Sequence, residues 1–145
     1  MHLFLTLQAD GDKCELPIHY NRYIQSALYR VQDPEFSDFL HNVGFQYGER
    51  QFRLFTFSRL LGRYRLLKEE GVIRFEGPVR LVVSSPVVPF CQAVMNTILR
   101  EDGLRFGKVN FRVVQMATEQ QIAESDSIVV ETLSPVTVYS TLFRP

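Results

Sequence analysis

Residues 26–60, SALYRVQDPEFSDFLHNVGFQYGERQFRLFTFSRL, contain the point at which the hydrophobic period of the chain changes. Up to Gly44 the apolar residues recur at helical spacing. Ile24, Ala27, Leu28 and Val31 form one stripe, which predicts a helix over 21–32 with Asn21 as its N-cap. Asp33 and Pro34 restart the chain as cap and first helical residue, and Phe36, Phe39, Leu40 and Val43 repeat the spacing. Gly44 is the expected stop. Beyond it the period becomes two, and QFRLFTFS (51–58) reads as a strand that puts Arg53 on the face opposite Phe52 and Leu54.

The rest of the chain fits around this switch. Leu3 to Leu7 alternate as a first strand, followed by a loop holding Gly11 and Pro17. YRLLKEEGVIRFEG (64–77) predicts a hairpin turning at KEEG, and PVRLVVSS (78–85) a further strand. Pro86 opens the expected helix PVVPFCQAVMNTILR, and after the turn EDG the segments VNFRVVQM (109–116) and SIVVETL (127–133) read as a closing strand pair. The order strand, helices, strands, helix, strands suits an α+β fold, a ferredoxin-like split βαβ sandwich with helices on one face of an antiparallel sheet. With no linker, repeat or low-complexity tract, residues 1–145 read as a single domain.

Composition narrows the function classes. Hydrophobic content of 46% with 22% charged residues is that of a folded chain, and a formal net charge of +0 does not imply nonspecific nucleic-acid binding. The cations are thirteen arginines against three lysines. That skew suits an anionic partner, because the guanidinium is a planar fork of donors, and equally suits thermal adaptation or codon bias. Cys14 and Cys91 have no metal or redox spacing and read as free thiols in a reducing compartment. MHLFLTLQADGD alternates without a basic leader and reads as a strand rather than a secretion signal. No apolar run approaches the roughly 20 residues that span a bilayer, so a cytoplasmic location is expected.

Three kinds of residue carry candidate chemistry. His41 lies on the side of its predicted helix away from the apolar stripe, which leaves either a surface histidine with no role or a group that exchanges protons near neutral pH. Tyr29 faces away from Ile24, Leu28 and Val31, beside Arg22 and Ser26. Its ring is placed to contact a ligand, to cap the core edge or to rest under a loop. From Glu49 to Arg65 five arginines face one acid. They form either a solvated cationic edge or a phosphate path through Arg50, Arg53 and Arg59. His2, His19 and His41 lack the paired spacing of a metal site, and neither a P-loop nor a Gly-x-Ser-x-Gly elbow is present. Histidine, tyrosine and arginine together suit RNA cleavage in which the 2′-hydroxyl attacks the neighbouring phosphate, a reaction that needs a base, an acid and a cation.

LPIHYNRYIQSALYR (16–30), FLHNVGF (39–45), FRLFTFSRL (52–60) and TLSPVTV (132–138) occur in the order of the CRISPR-associated endoribonuclease family Cas6, of the RAMP superfamily, which the chain resembles as far as about Tyr139. The resemblance implies cleavage of CRISPR precursor RNA within its repeats, without metal or cofactor, leaving a 2′,3′-cyclic phosphate and a 5′-hydroxyl. It implies His41 as general acid or base, Tyr29 as the group that orients or activates the 2′-hydroxyl, and Arg53, where the family often has lysine, as the cation on the phosphorane. Arg22, Arg50 and Arg59 are the candidate RNA contacts. Family members usually carry two ferredoxin-like domains, the second bearing a glycine-rich loop, so 1–145 is expected to be an amino-terminal half with the second domain absent. CRISPR repeat RNA is the expected partner, with other CRISPR effector subunits or a second copy of the chain as further ones. The competing readings are a non-catalytic CRISPR RNA-binding subunit and a ferredoxin-like assembly domain with no RNA role.

Overall fold

Every second residue of the first strand is apolar, and in the computed structural model β1 (His2–Ala9) accordingly buries Leu3, Leu5 and Leu7 on one face. The model describes residues 1–11, 14–32, 34–120 and 126–127, with the backbone alone at 35 and 41. The long strand β7 (Val72–Ser84) runs antiparallel to β1, pairing Leu5 with Leu81 and Leu7 with Val79. On its other edge β7 takes β6 (Leu61–Leu67), so that Arg80 lies between Thr6 and Leu61. β9 (Val109–Glu119) pairs antiparallel with the free side of β1, and β8 (Gly103–Phe106) forms a hairpin with β9. β1 and β6 therefore flank β7, and β7 and β9 flank β1. The helical segments between β1 and β6 cross over β7, and the helix after β7 passes β1 and β9 to reach β8, whose hairpin returns the chain as β9 beside β1; this is the double split βαβ of a ferredoxin-like fold with β8 added at its edge.

Both crossovers cover one face. Helix α1 (Asn21–Arg30) buries Ile24, Ala27 and Leu28, and α3 (Val88–Glu101) buries Phe90, Cys91, Val94 and Ile98, against the inward side chains of β1, β7 and Phe111 of β9. Burial of each such leucine or phenylalanine contributes about 1.5–3 kcal/mol. The two helices are tied at one point, where Thr97 Oγ1 donates 3.0 Å to the Val31 carbonyl. Among the described residues no helix is long and apolar enough to cross a membrane.

The α+β ferredoxin-like expectation holds, and several local expectations do not. Tyr20, not Asn21, caps α1. Its buried ring anchors that residue, and its carbonyl accepts the first helical N–H groups from Tyr23 and Ile24 at 2.8 and 3.3 Å. The expected loop from Gly11 to Pro17 contains a strand, β2 (Cys14–Pro17), which prolongs the β1 edge of β7 through Leu16 and Ile73. VIRFEG and PVRLVVSS are one strand, because Gly77, at φ +75°, absorbs the irregularity between the Leu61–Arg80 and Arg63–Glu76 pairs. Helix α3 begins at Val88, and Pro89 rather than Pro86 occupies its first turn. VNFRVVQM pairs with β1 and β8, while SIVVETL and Asp33 fall on or run into positions outside the described residues.

The 26–60 region departs most. The helix after Pro34 is a short α2 (Pro34–Asp38) that widens into a π-helical turn over Phe39–Val43, closed by Gly44 N–H donating to the Phe39 carbonyl at 2.6 Å. That extra residue in the turn moves Val43 off the apolar stripe, leaving it 45% exposed. QFRLFTFS is not one strand. β4 (Arg50–Phe52) closes a separate hairpin with β3 (Phe45–Tyr47), and β5 (Thr56–Phe57) joins β7 instead. Between them Leu54 takes φ +51°, held by Ser85 Oγ donating 2.7 Å to its carbonyl. The break turns Phe55 into the core, stacked on Phe90 at 4.7 Å.

Candidate functional site

Helix α1 presents Arg22, Gln25, Ser26, Tyr29 and Arg30 along the face opposite its buried stripe. These residues form one wall of an open cleft of about 620 Å³. Ser37 and Asp38 at the end of α2 and Arg53 from the irregular segment complete it. Three guanidinium groups against one carboxylate leave the cleft cationic.

Each side chain is held by something identifiable. The Tyr29 ring is half-buried and meets Phe55 edge to face at 5.5 Å and 85°, and Phe55 in turn lies on Phe90. Tyr29 thus caps the core edge and lines the cleft at once, rather than pointing clear of the core. Arg22 is braced by its neighbour, donating 2.8 Å to the Tyr23 hydroxyl with its guanidinium carbon 4.7 Å from the ring centre. Arg30 Nη2 donates 2.8 Å to the Arg105 carbonyl of β8. Arg53 lies against Gly44, whose φ of +63° and lack of a Cβ leave room for the guanidinium.

The sequence-expected residues divide into three groups. Tyr29, Arg53 and Arg22 come together in the cleft. Arg59 lines an adjoining groove that shares Arg22 with it, and Arg50 sits on the β3–β4 hairpin and lines neither. His41 stands on the π-helical turn that follows Asp38. The arginine run is not one continuous path: Arg65 pairs with Glu76 at 2.8 Å on the sheet, and Arg63 lines a separate depression with Arg80. Among the described residues no three His, Cys, Asp or Glu side chains group as ligands for a metal.

Residues 15–117 match the family model described as CRISPR-associated protein Cas6, N-terminal. The chain belongs to the Cas6 family. A relative from Methanocaldococcus jannaschii named CRISPR-associated endoribonuclease Cas6 1 is 31% identical over 139 residues, covering 94% of this chain and 51% of the relative. A solved structure of a CRISPR associated protein Cas6 is 30% identical with a TM-score of 0.57, over 86% of this chain and 50% of that one. A Cas6-related protein from Pyrococcus furiosus has the same fold at 19% identity and TM-score 0.65, over 85% of this chain and 50% of its own. So does a RAMP protein described as binding different RNA substrates, at 20% identity and TM-score 0.63, over 86% and 51%. The chain thus spans about half the length of the Cas6 relatives it matches.

Sequence reasoning missed Gln25, Arg30, Ser37 and Asp38 in the cleft of this Cas6 chain. Gln25 and Arg30 were within reach, since they share the helical face of Arg22, Ser26 and Tyr29. Ser37 and Asp38 carry no local signal, because their approach to α1 is a tertiary contact between two helices.

Proposed function

We propose that this chain is the amino-terminal domain of a CRISPR precursor RNA endoribonuclease, acting in the cytoplasm with a carboxy-terminal half to cut within repeats. The observation that carries the reading is the joining of Tyr29, Arg22 and Arg53 in one cationic cleft, in a member of a family with a relative named as an endoribonuclease. In the reaction the ribose 2′-oxygen bonds to phosphorus as its proton leaves, and the bond from phosphorus to the 5′-oxygen breaks as that oxygen is protonated. The products are a 2′,3′-cyclic phosphate and a 5′-hydroxyl. Tyr29 orients or activates the 2′-hydroxyl, His41 acts as general acid or base, and Arg53 neutralises charge on the phosphorane. Arginine keeps its proton throughout the working pH range, so its part is electrostatic. Arg22, Arg50 and Arg59 contact the RNA backbone.

The test is incubation of labelled repeat RNA with this chain and with a two-domain version, in EDTA, beside RNA carrying 2′-deoxyribose at the scissile position. Cleavage of the ribose substrate alone, ending in a cyclic phosphate, is the expected result. Cleavage of the deoxy substrate, or cleavage abolished by EDTA, overturns the chemistry. Binding without cleavage by either form makes the chain a non-catalytic RNA-binding subunit.

A further inference from the structure

β6 is an edge strand among the described residues, pairing with β7 on one side, and its other side borders a groove of about 740 Å³. The floor is apolar, with Ile18, Leu61 and Tyr64, and the rim is cationic, with Arg22 and Arg59. No carboxylate stands among its described lining residues. Tyr64 is 59% exposed, its inner edge resting on Phe75 with ring centres 6.1 Å apart, so an aromatic surface is offered to solvent. The rim is rigid. Ser58 Oγ donates 2.8 Å to the Arg59 carbonyl, and the buried Tyr20 hydroxyl accepts the Leu60 N–H at 3.2 Å.

From this we infer that the groove binds an unpaired nucleotide of the RNA, its base stacked on Tyr64 and its flanking phosphates held by Arg22 and Arg59. An aromatic platform inside a cationic rim is the arrangement that takes single-stranded RNA, because every base has a π-face and every linkage a negative charge. A peptide added to the β6 edge would use the same floor. The acid-free rim favours the polyanion. Arg22 lines both the groove and the Tyr29–Arg53 cleft, so a strand seated on Tyr64 continues directly toward Arg53. The inference rests on the RNA-processing reading and adds to it a pocket that selects for an unpaired base beside the scissile region.

The experiment measures binding of a fluorescent single-stranded repeat RNA to the 145-residue chain and to the two-domain version by anisotropy at several salt concentrations, with melting curves for every variant. Tyr64→Leu keeps the apolar contact with Phe75 and removes the ring. It is expected to weaken binding about 5- to 30-fold, while Tyr64→Phe stays within about twofold. Arg59→Gln is expected to lower the slope of log affinity against log salt by about 0.7. RNA bearing 5-iodouridine should crosslink to Tyr64. Unchanged affinity for Tyr64→Leu and Arg59→Gln, with Arg53→Gln still weakening binding, overturns the groove and leaves the cleft standing. Equal losses for Tyr64→Leu and Tyr64→Phe overturn base stacking there. Failure of both the unsubstituted chain and the two-domain version to bind RNA at low salt overturns the groove and the RNA reading on which it rests.

Discussion

The guanidinium of Arg53 lies over the bare α-carbon of Gly44, so closely that a Cβ at residue 44 would collide with Nη1 and stand 2.8 Å from the Phe52 carbonyl oxygen. Gly44 also holds φ +63° and ψ −175°, a region open in practice to glycine alone. Gly44→Ala is therefore expected to cost about 1–3 kcal/mol of stability and to displace Arg53 from the cleft. A fall in melting temperature together with a loss of cleavage greater than that of an equally destabilised core variant is the expected pattern.

Tyr29 has separable packing and hydroxyl roles. Tyr29→Phe keeps the edge-to-face contact with Phe55 and should melt within a degree or two of the parent, yet cleave far more slowly. Tyr29→Ala loses the half-buried ring as well and is expected to cost about 2 kcal/mol. Calorimetry and single-turnover cleavage on the same samples distinguish the two. Equal rates for Tyr29→Phe and the parent would remove the hydroxyl from the mechanism.

For the proton and the cation the expected losses differ in kind. His41→Ala should lower single-turnover cleavage about 10²- to 10⁴-fold with repeat-RNA affinity almost unchanged. Arg53→Lys keeps a positive charge and should retain most activity, whereas Arg53→Gln should lose about 10²- to 10³-fold. Cleavage by the two-domain protein, with affinity measured on a 2′-deoxy substrate, checks both.

Burial pushes the Cys14 thiol up to about 11, and it pushes Cys91 up as well, partly opposed by the N-terminal charge and a backbone hydrogen bond from Ser85. The folded chain thus holds a Cys14 proton that the unfolded chain releases from 9.0 upward. This contribution to stability is complete below about pH 9 and is lost as pH rises to about 11, amounting to about 3 kcal/mol at most. Urea midpoints at pH 8 and pH 10.5 should fall more for the parent than for Cys14→Ala. Both thiols should react with iodoacetamide at pH 8 only after unfolding, since both are buried.

Much of the fold was legible because it is written in local periodicity. The alternation of Leu3, Leu5 and Leu7, the KEEG turn and the stripe Ile24, Ala27, Leu28 each reflect a face that must leave water, and each formed as expected. The same reasoning failed where a distant contact outweighed the local pattern. QFRLFTFS alternates like a strand, yet Ser85 and Phe90, far along the chain, bend it at Leu54 and pull Phe55 inward. Phe36, Phe39, Leu40 and Val43 fit one helical stripe, yet the chain widens into a π turn and Val43 is left in solvent.

The split βαβ element order, the reading of Cys14 and Cys91 as free thiols and a set of motifs that resemble the Cas6 family are all present in the sequence alone. The sequence also determined that Tyr29 and Arg22 share one face of a helix, because 3.6 residues per turn is a local property. Tertiary structure alone decided that Arg53 meets that face, that Arg59 opens onto a neighbouring groove and that Arg50 stands apart on a hairpin. Those relationships depend on where the backbone turns at Gly44 and Leu54. A turn of that kind is set by what the chain packs against on returning to the core, a contact between residues far apart in sequence that no local pattern encodes.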